Sequence, residues 1–156
     1  MDFSEVIGHQ HLKSHLLKTI ENGRVPHAQL FSGVNGSGLL PLAIAYASEL
    51  LCSKHKKESP EYLSCKKKVS KLIHPDLHFV YPVNTSDDVK KNAVSDNYVE
   101  GWRNFVLNNP YASLFEWLQS LGLEKKQGNI SKFEAENISK KLSLKAFEGG
   151  YKVMII

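Results

Sequence analysis

The stretch Gly33-Val34-Asn35-Gly36-Ser37-Gly38-Leu39-Leu40 has the spacing of a phosphate-binding loop. Gly33 and Gly38 fill the two glycine positions of G-x-x-x-x-G-K-[ST], where backbone N–H groups at a helix N-terminus cradle phosphate oxygens. In a working loop the next two residues supply the chemistry: a lysine holds the β- and γ-phosphates, and a hydroxyl residue binds Mg²⁺. Here those residues are Leu39 and Leu40, which can do neither. Phosphoryl transfer rests on positioning and on stabilising charge, so losing both the cation and the metal ligand removes most of what such a loop contributes. The sequence therefore predicts a degenerate phosphate loop without ATP turnover, kept for fold geometry or as a weak anion nest.

A second chemistry is suggested by charge. The chain of 156 residues has a formal charge of +4, but the charge is local. Between Lys54 and Lys71 seven lysines face only Glu58 and Glu61, so the remainder is close to neutral. Lys66, Lys67 and Lys68 are the candidate DNA contacts, whose binding would weaken steeply with salt. The segment has no arginine and only Tyr62 to stack on a base, which favours a solvated lysine-rich hairpin or helix face instead. His9, His11 and His15 have no carboxylate or cysteine partners at ligand spacing and read as surface or interface residues. No Ser-His-Asp or Cys-His arrangement is recognisable.

These residues need elements to position them. Leu12, Leu16, Leu17 and Ile20 predict an amphipathic first helix stopped by Asn22-Gly23. Ala28-Gln29-Leu30-Phe31 reads as a buried strand leading into the glycine-rich turn, and Leu39 to Leu51 as a helix buried on most sides, with Pro41 in its first turn. Leu77 to Tyr81 has strand composition, closed by Pro82; Asn84 to Asn97 reads as an exposed loop. Trp102, Phe105 and Val106 predict one short helix, and Leu114, Trp117, Leu118 and Leu121 another. Ser131-Lys132-Phe133-Glu134 has the spacing of a capping box opening a further helix. Tyr151 to Ile156 is a last strand, expected to be cut inside a fold that continues past it. Strands alternating with helices predict an α/β sandwich on a parallel sheet.

At 42% apolar and 23% charged residues the composition is that of a globular domain. With no secretory pattern at Met1 to Ser4 and no window approaching about 18 uncharged apolar residues, membrane and secreted readings fall away and a cytoplasmic protein is predicted. Two cysteines exclude a disulfide scaffold and cannot alone make a four-thiolate zinc site.

Several stretches in order resemble the N-terminal nucleotide-binding-type domain of bacterial DNA polymerase III δ′ subunits, in the clamp-loader branch of AAA+ proteins. They are Ile7-Gly8-His9, Arg24-Val25-Pro26-His27-Ala28, the degenerate loop, His74-Pro75-Asp76, and Ser143-Leu144 through Glu148-Gly149-Gly150 to Ile156. The resemblance implies a P-loop NTPase (AAA+) three-layer sandwich that stops at the Walker B strand. Residues 52–74 then correspond to a degenerate zinc module and 84–128 to an insertion. It also implies a non-hydrolysing clamp-loader subunit of the polymerase III holoenzyme that helps place the sliding clamp on primed DNA. Its partners would be δ and the ATP-hydrolysing subunits; family members commonly carry a four-cysteine zinc module, but this chain has two of the four cysteines, so neither zinc nor, at the degenerate loop, ATP is expected. Cys52 and Cys65 stand where the first and near where the last of the family's four zinc cysteines fall, and His55 and His74 could complete a set. Two free thiols are the expected state. The aromatic residues Tyr98, Trp102, Phe105, Tyr111, Phe115 and Trp117 mark the insertion as a packed helical addition. The competing classes are an active AAA+ ATPase or P-loop kinase, opposed by Leu39 and Leu40, and a stand-alone DNA-binding module using the lysine segment.

Overall fold

The computed structural model describes residues 1–156, and its first helix, α1 (Gln10–Glu21), follows the 3.6-residue period of its apolar positions. Leu16 faces inward, while Leu12 is left largely exposed. Lys13 takes a place on the buried side, its ammonium donating to the carbonyl of Val6. Asn22 caps the helix and Gly23 turns the chain away at φ +63°.

The second helix, α2 (Leu39–Cys52), is apolar on nearly every side because it separates two clusters. Ile44, Ala47 and Leu51 face the larger core; Leu42, Ala45, Tyr46 and Leu50 face a smaller one shared with Val6 and Leu16 of the N-terminal segment and α1. The lysine segment forms α3 (Pro60–Ser70), a helix rather than a hairpin. Ser59 accepts the Tyr62 N–H as its N-cap, and Pro60 stands at the first position, where its missing N–H costs nothing.

Strands β1 (Leu77–Phe79) and β2 (Val153–Ile155) pair in parallel, in the register Leu77 to Val153, His78 to Met154 and Phe79 to Ile155. The ladder is prolonged at each end by Val153 N–H donating to Asp76 and Val80 N–H to Ile155. The expected strand at Ala28–Phe31 does not form: Leu30 is 91% exposed, and the sheet is β1 and β2 alone. Without a neighbouring strand its N–H and C=O groups gain nothing from an extended ladder. Side chains hold this segment instead, Gln29 donating to the Tyr46 hydroxyl and Phe31 packing 6.4 Å from the Tyr46 ring.

Three helices follow: α4 (Val99–Asn108), α5 (Leu114–Ser120) and α6 (Lys132–Ser143), close to where their periodicity places them. Trp102, Val106, Trp117 and Leu118 carry α4 and α5 into the same core as Phe79 and Tyr81, which is the packed helical addition expected. Phe115 is an exception and is exposed. The stretch Asn84–Asn97, expected as an exposed loop, buries Ala93 and Ser95 and ends in a short 3-10 turn, Ser95–Tyr98. Only half of the capping box at α6 is made. Ser131 accepts the Glu134 N–H, but the buried Glu134 carboxylate accepts the N–H of Ser95, docking α6 onto the loop.

Candidate functional site

The phosphate loop is closed from within. Its residues lie between Phe31 and the start of α2, with Gly36 at φ +78° and Gly38 at φ +85°. These are left-handed conformations that glycine adopts without strain. At Gly33 the loop folds so tightly that a Cβ would lie 2.9 Å from Ser37 Oγ and 3.2 Å from the Leu39 side chain. The Ser37 hydroxyl is buried without a hydrogen-bond partner, and the Ser37 N–H donates back to Val34. His9, at the N-terminal boundary of α1, donates from Nε2 to the Ser37 carbonyl at 2.5 Å. It therefore ties α1 to the loop. Leu39 packs its side chain against Gly33 of the loop, and Leu40 turns toward the larger core.

An apolar cavity of about 250 Å³ opens beyond Leu40 at the carboxyl ends of the two strands. Phe79, Val80, Ile155 and Ile156 form one wall and Trp102, Phe105 and Trp117 another. This is the edge at which open α/β sheets bind ligands. Its lining offers little to hold a charged phosphate or Mg²⁺.

Cys52 and Cys65 are joined in a disulfide, with Cα atoms 5.8 Å apart. The expectation of two free thiols is therefore corrected. The side-by-side packing of α2 and α3 brings the two sulfurs together, which thirteen residues of separation did not reveal. The zinc candidates are not gathered either. His55 lies in the turn after α2, and His74 is directed away to Glu148, its Nε2 3.3 Å from the carboxylate. No group of three or more His, Cys, Asp or Glu residues is placed to hold a metal ion.

The lysine row is also broken up. Successive residues on a helix point about 100° apart, so Lys66, Lys67 and Lys68 cannot share one face. Lys66 turns inward and donates to Asp2 at 2.8 Å, Glu49 at 2.5 Å and Ser48 at 3.1 Å. Burial opposes its charge, but the two carboxylates outweigh this and hold its pKa above the ordinary lysine value. Lys68 pairs with Glu148 at 2.5 Å, which leaves Lys67 exposed. Two of the three lysines are thus paired with carboxylates of the chain itself.

These pairs are part of a larger polar network. The buried Asp76 carboxylate accepts the N–H groups of Phe147 at 2.6 Å and Glu148 at 2.8 Å, while His74 Nδ1 accepts the Asp76 N–H. Lys54 donates to the carbonyls of Glu148 and Gly149. The turn before β2 is thus fixed to the α2–α3 connection, to the last turn of α3 and to the residue before β1. Burial lowers the pKa of His74 despite Glu148 and Asp76, and burial likewise lowers that of His78. A histidine more acidic in the folded state stabilises the fold fully above its unfolded pKa of about 6.5 and loses that contribution as pH falls below it. The urea midpoint is accordingly expected to be lower at about pH 5.5 than at about pH 7.5, with a smaller difference in the His74→Gln variant. An equal pH dependence in the variant would remove His74 from this role.

Residues 8–156 match the family described as DNA polymerase III, delta subunit, a region that takes in the loop, the polar network and the aromatic layer. The chain belongs to that family. It is also similar to DNA polymerase III subunit delta′ of Bacillus subtilis (strain 168), 37% identical over 67 residues, 43% of this chain and 20% of the relative. The match thus spans about a fifth of the length of that relative. No solved structure matches. As a delta-family domain the molecule is mixed α/β with a parallel sheet, as the alternation of its elements predicted.

Sequence reasoning missed three features of this delta-family chain. The cysteine pairing had a faint signal in the Ser59-Pro60 helix start, which returns the chain antiparallel to α2. The Asp76 carboxylate had one in its place beside His74-Pro75, though its partners lie some seventy residues away. Tyr111 had none. Its hydroxyl accepts the N–H of Ile7 at 2.8 Å and its ring covers Gly38, contacts that no local spacing encodes.

Proposed function

We propose that this chain acts as a non-hydrolysing clamp-loader subunit of the δ′ kind, on an AAA+ type P-loop fold, in the cytoplasm. In this reading it helps load the sliding clamp onto primed DNA within the DNA polymerase III holoenzyme. Its direct partners are δ and the ATP-hydrolysing subunits; the clamp and the DNA are reached through the complex. It needs no metal or nucleotide of its own. The observation that carries the reading is the phosphate loop of a delta-family chain with Leu39 and Leu40 at the two chemical positions and Leu39 packed against Gly33. A loop so substituted keeps the glycines of the site and drops its turnover, which suits a rigid partner rather than a motor.

The test is Mg²⁺-ATP turnover by the purified protein, together with co-elution with δ and the ATP-hydrolysing subunits. The expected outcome is no turnover above a protein-free blank and a stable complex. Magnesium-dependent hydrolysis by this chain alone would overturn the reading in favour of an active AAA+ ATPase.

A further inference from the structure

Leu39 and Leu40 explain why the loop lacks chemistry, but they do not account for what lies on its outer side. The connection between α4 and α5, Asn109 to Ser113, crosses the carboxyl edge of the sheet and reaches the start of α2. Tyr111 stands at its tip. A Cβ built at Gly38 would lie 2.8 Å from the edge of the Tyr111 ring, so the ring is seated directly against the residue that caps α2. The phenol hydroxyl reaches past the loop and accepts the N–H of Ile7. The ring is therefore held at both ends, by the bare backbone of Gly38 and by the segment before α1. The ring thus lies against the N-terminal end of α2, the end whose free N–H groups would face an anion.

We propose that Tyr111 is an internal plug: an aromatic side chain from a distant part of the same chain that shuts the phosphate loop sterically, independently of Leu39 and Leu40. The proposal rests on the reading of the loop as inactive and adds a second, separable cause. Two features support a plug over a chance contact. Gly38 must lack a side chain both for its φ of +85° and for the ring to seat. The Ile7 N–H precedes a left-handed pair, Gly8 and His9, and His9 in turn grips the loop at Ser37, so N-terminal segment, loop and plug form one closed set of contacts.

The plug is tested by restoring the missing chemistry with the plug in place and with it removed. Binding of a fluorescent ATP analogue with Mg²⁺ is measured for the wild-type chain, for Leu39→Lys/Leu40→Thr, and for that double variant combined with Tyr111→Ala. If the site is open for less than about a tenth of the time, removing the plug tightens apparent affinity about tenfold or more. The double variant is expected to bind no better than wild type and the triple variant to bind at least that much more tightly. Equal binding by double and triple variants overturns the plug. Turnover by the wild-type chain would instead overturn the proposed function, so the two failures are distinct. Should the alanine chain not fold, Tyr111→Phe keeps the ring and removes the Ile7 hydrogen bond. Faster amide exchange at Ile7 and at Gly38 to Leu40 is then expected, and unchanged exchange counts against the plug.

Discussion

Replacing Trp117 by alanine is expected to cost about 3–5 kcal/mol, the largest effect of any single substitution in this chain. Trp117 is 1% exposed, and its ring meets Trp102 at 5.0 Å, Tyr81 at 5.3 Å and Phe105 at 5.3 Å, the first two edge-on. Its indole N–H donates to the Pro82 carbonyl, so truncation removes the aromatic contacts, opens a cavity and orphans a part-buried acceptor together. Against a total stability of about 5–15 kcal/mol for a domain of this size, the alanine chain should be largely unfolded at modest urea. Trp117→Phe keeps most of the ring packing and should retain a cooperative transition. Urea unfolding followed by circular dichroism checks both. A loss below about 1 kcal/mol for Trp117→Ala would mean that α5 is not built into the core.

Asp76→Ala is expected to cost about 3 kcal/mol, for a different reason. Asp76 is 1% exposed and its carboxylate receives two N–H groups from the turn that delivers β2, so removal leaves two part-buried donors without an acceptor. Asp76→Asn keeps one acceptor oxygen and should lose about half as much. The damage should be local as well as global. Hydrogen exchange at Phe147 and Glu148 is expected to rise in Asp76→Ala well before the rest of the fold opens, because these amides lose their only acceptor. Unaltered exchange at those two amides would show that the turn is held by Lys54 and Lys68 alone.

Much of the architecture could be read from local pattern. The two helices at either side of the phosphate loop, the caps at Ser131 and Asn22, and the strands at Leu77 and Val153 depend on residues near one another in sequence. Their periodicity and punctuation act over a turn or two, which is the range a sequence window sees. The strand expected at Ala28–Phe31 shows the limit. Its composition suits a strand, but a strand is a relation between two segments, and no neighbouring strand lies alongside it. The exposed loop expected at Asn84–Asn97 holds for most of its length and gives way at Ala93 and Ser95, for a related reason. Ser95 looks polar and solvent-bound until Glu134 and Tyr81, from elsewhere in the chain, take up its N–H and carbonyl.

The chemical site divides in the same way. Residue identity alone determined that the loop lacks a lysine and a metal-binding hydroxyl, since no folding can give Leu39 or Leu40 a charge or an oxygen. The tertiary structure decided what the remaining groups do. It paired two cysteines expected to be free, turned Lys66 and Lys68 onto carboxylates, drew His74 toward Glu148 and laid Tyr111 over Gly38. Each of these joins residues from different elements, and side-chain chemistry fixes only what a group is able to do. Which partner satisfies it depends on which elements pack together, and that is a property of the whole fold.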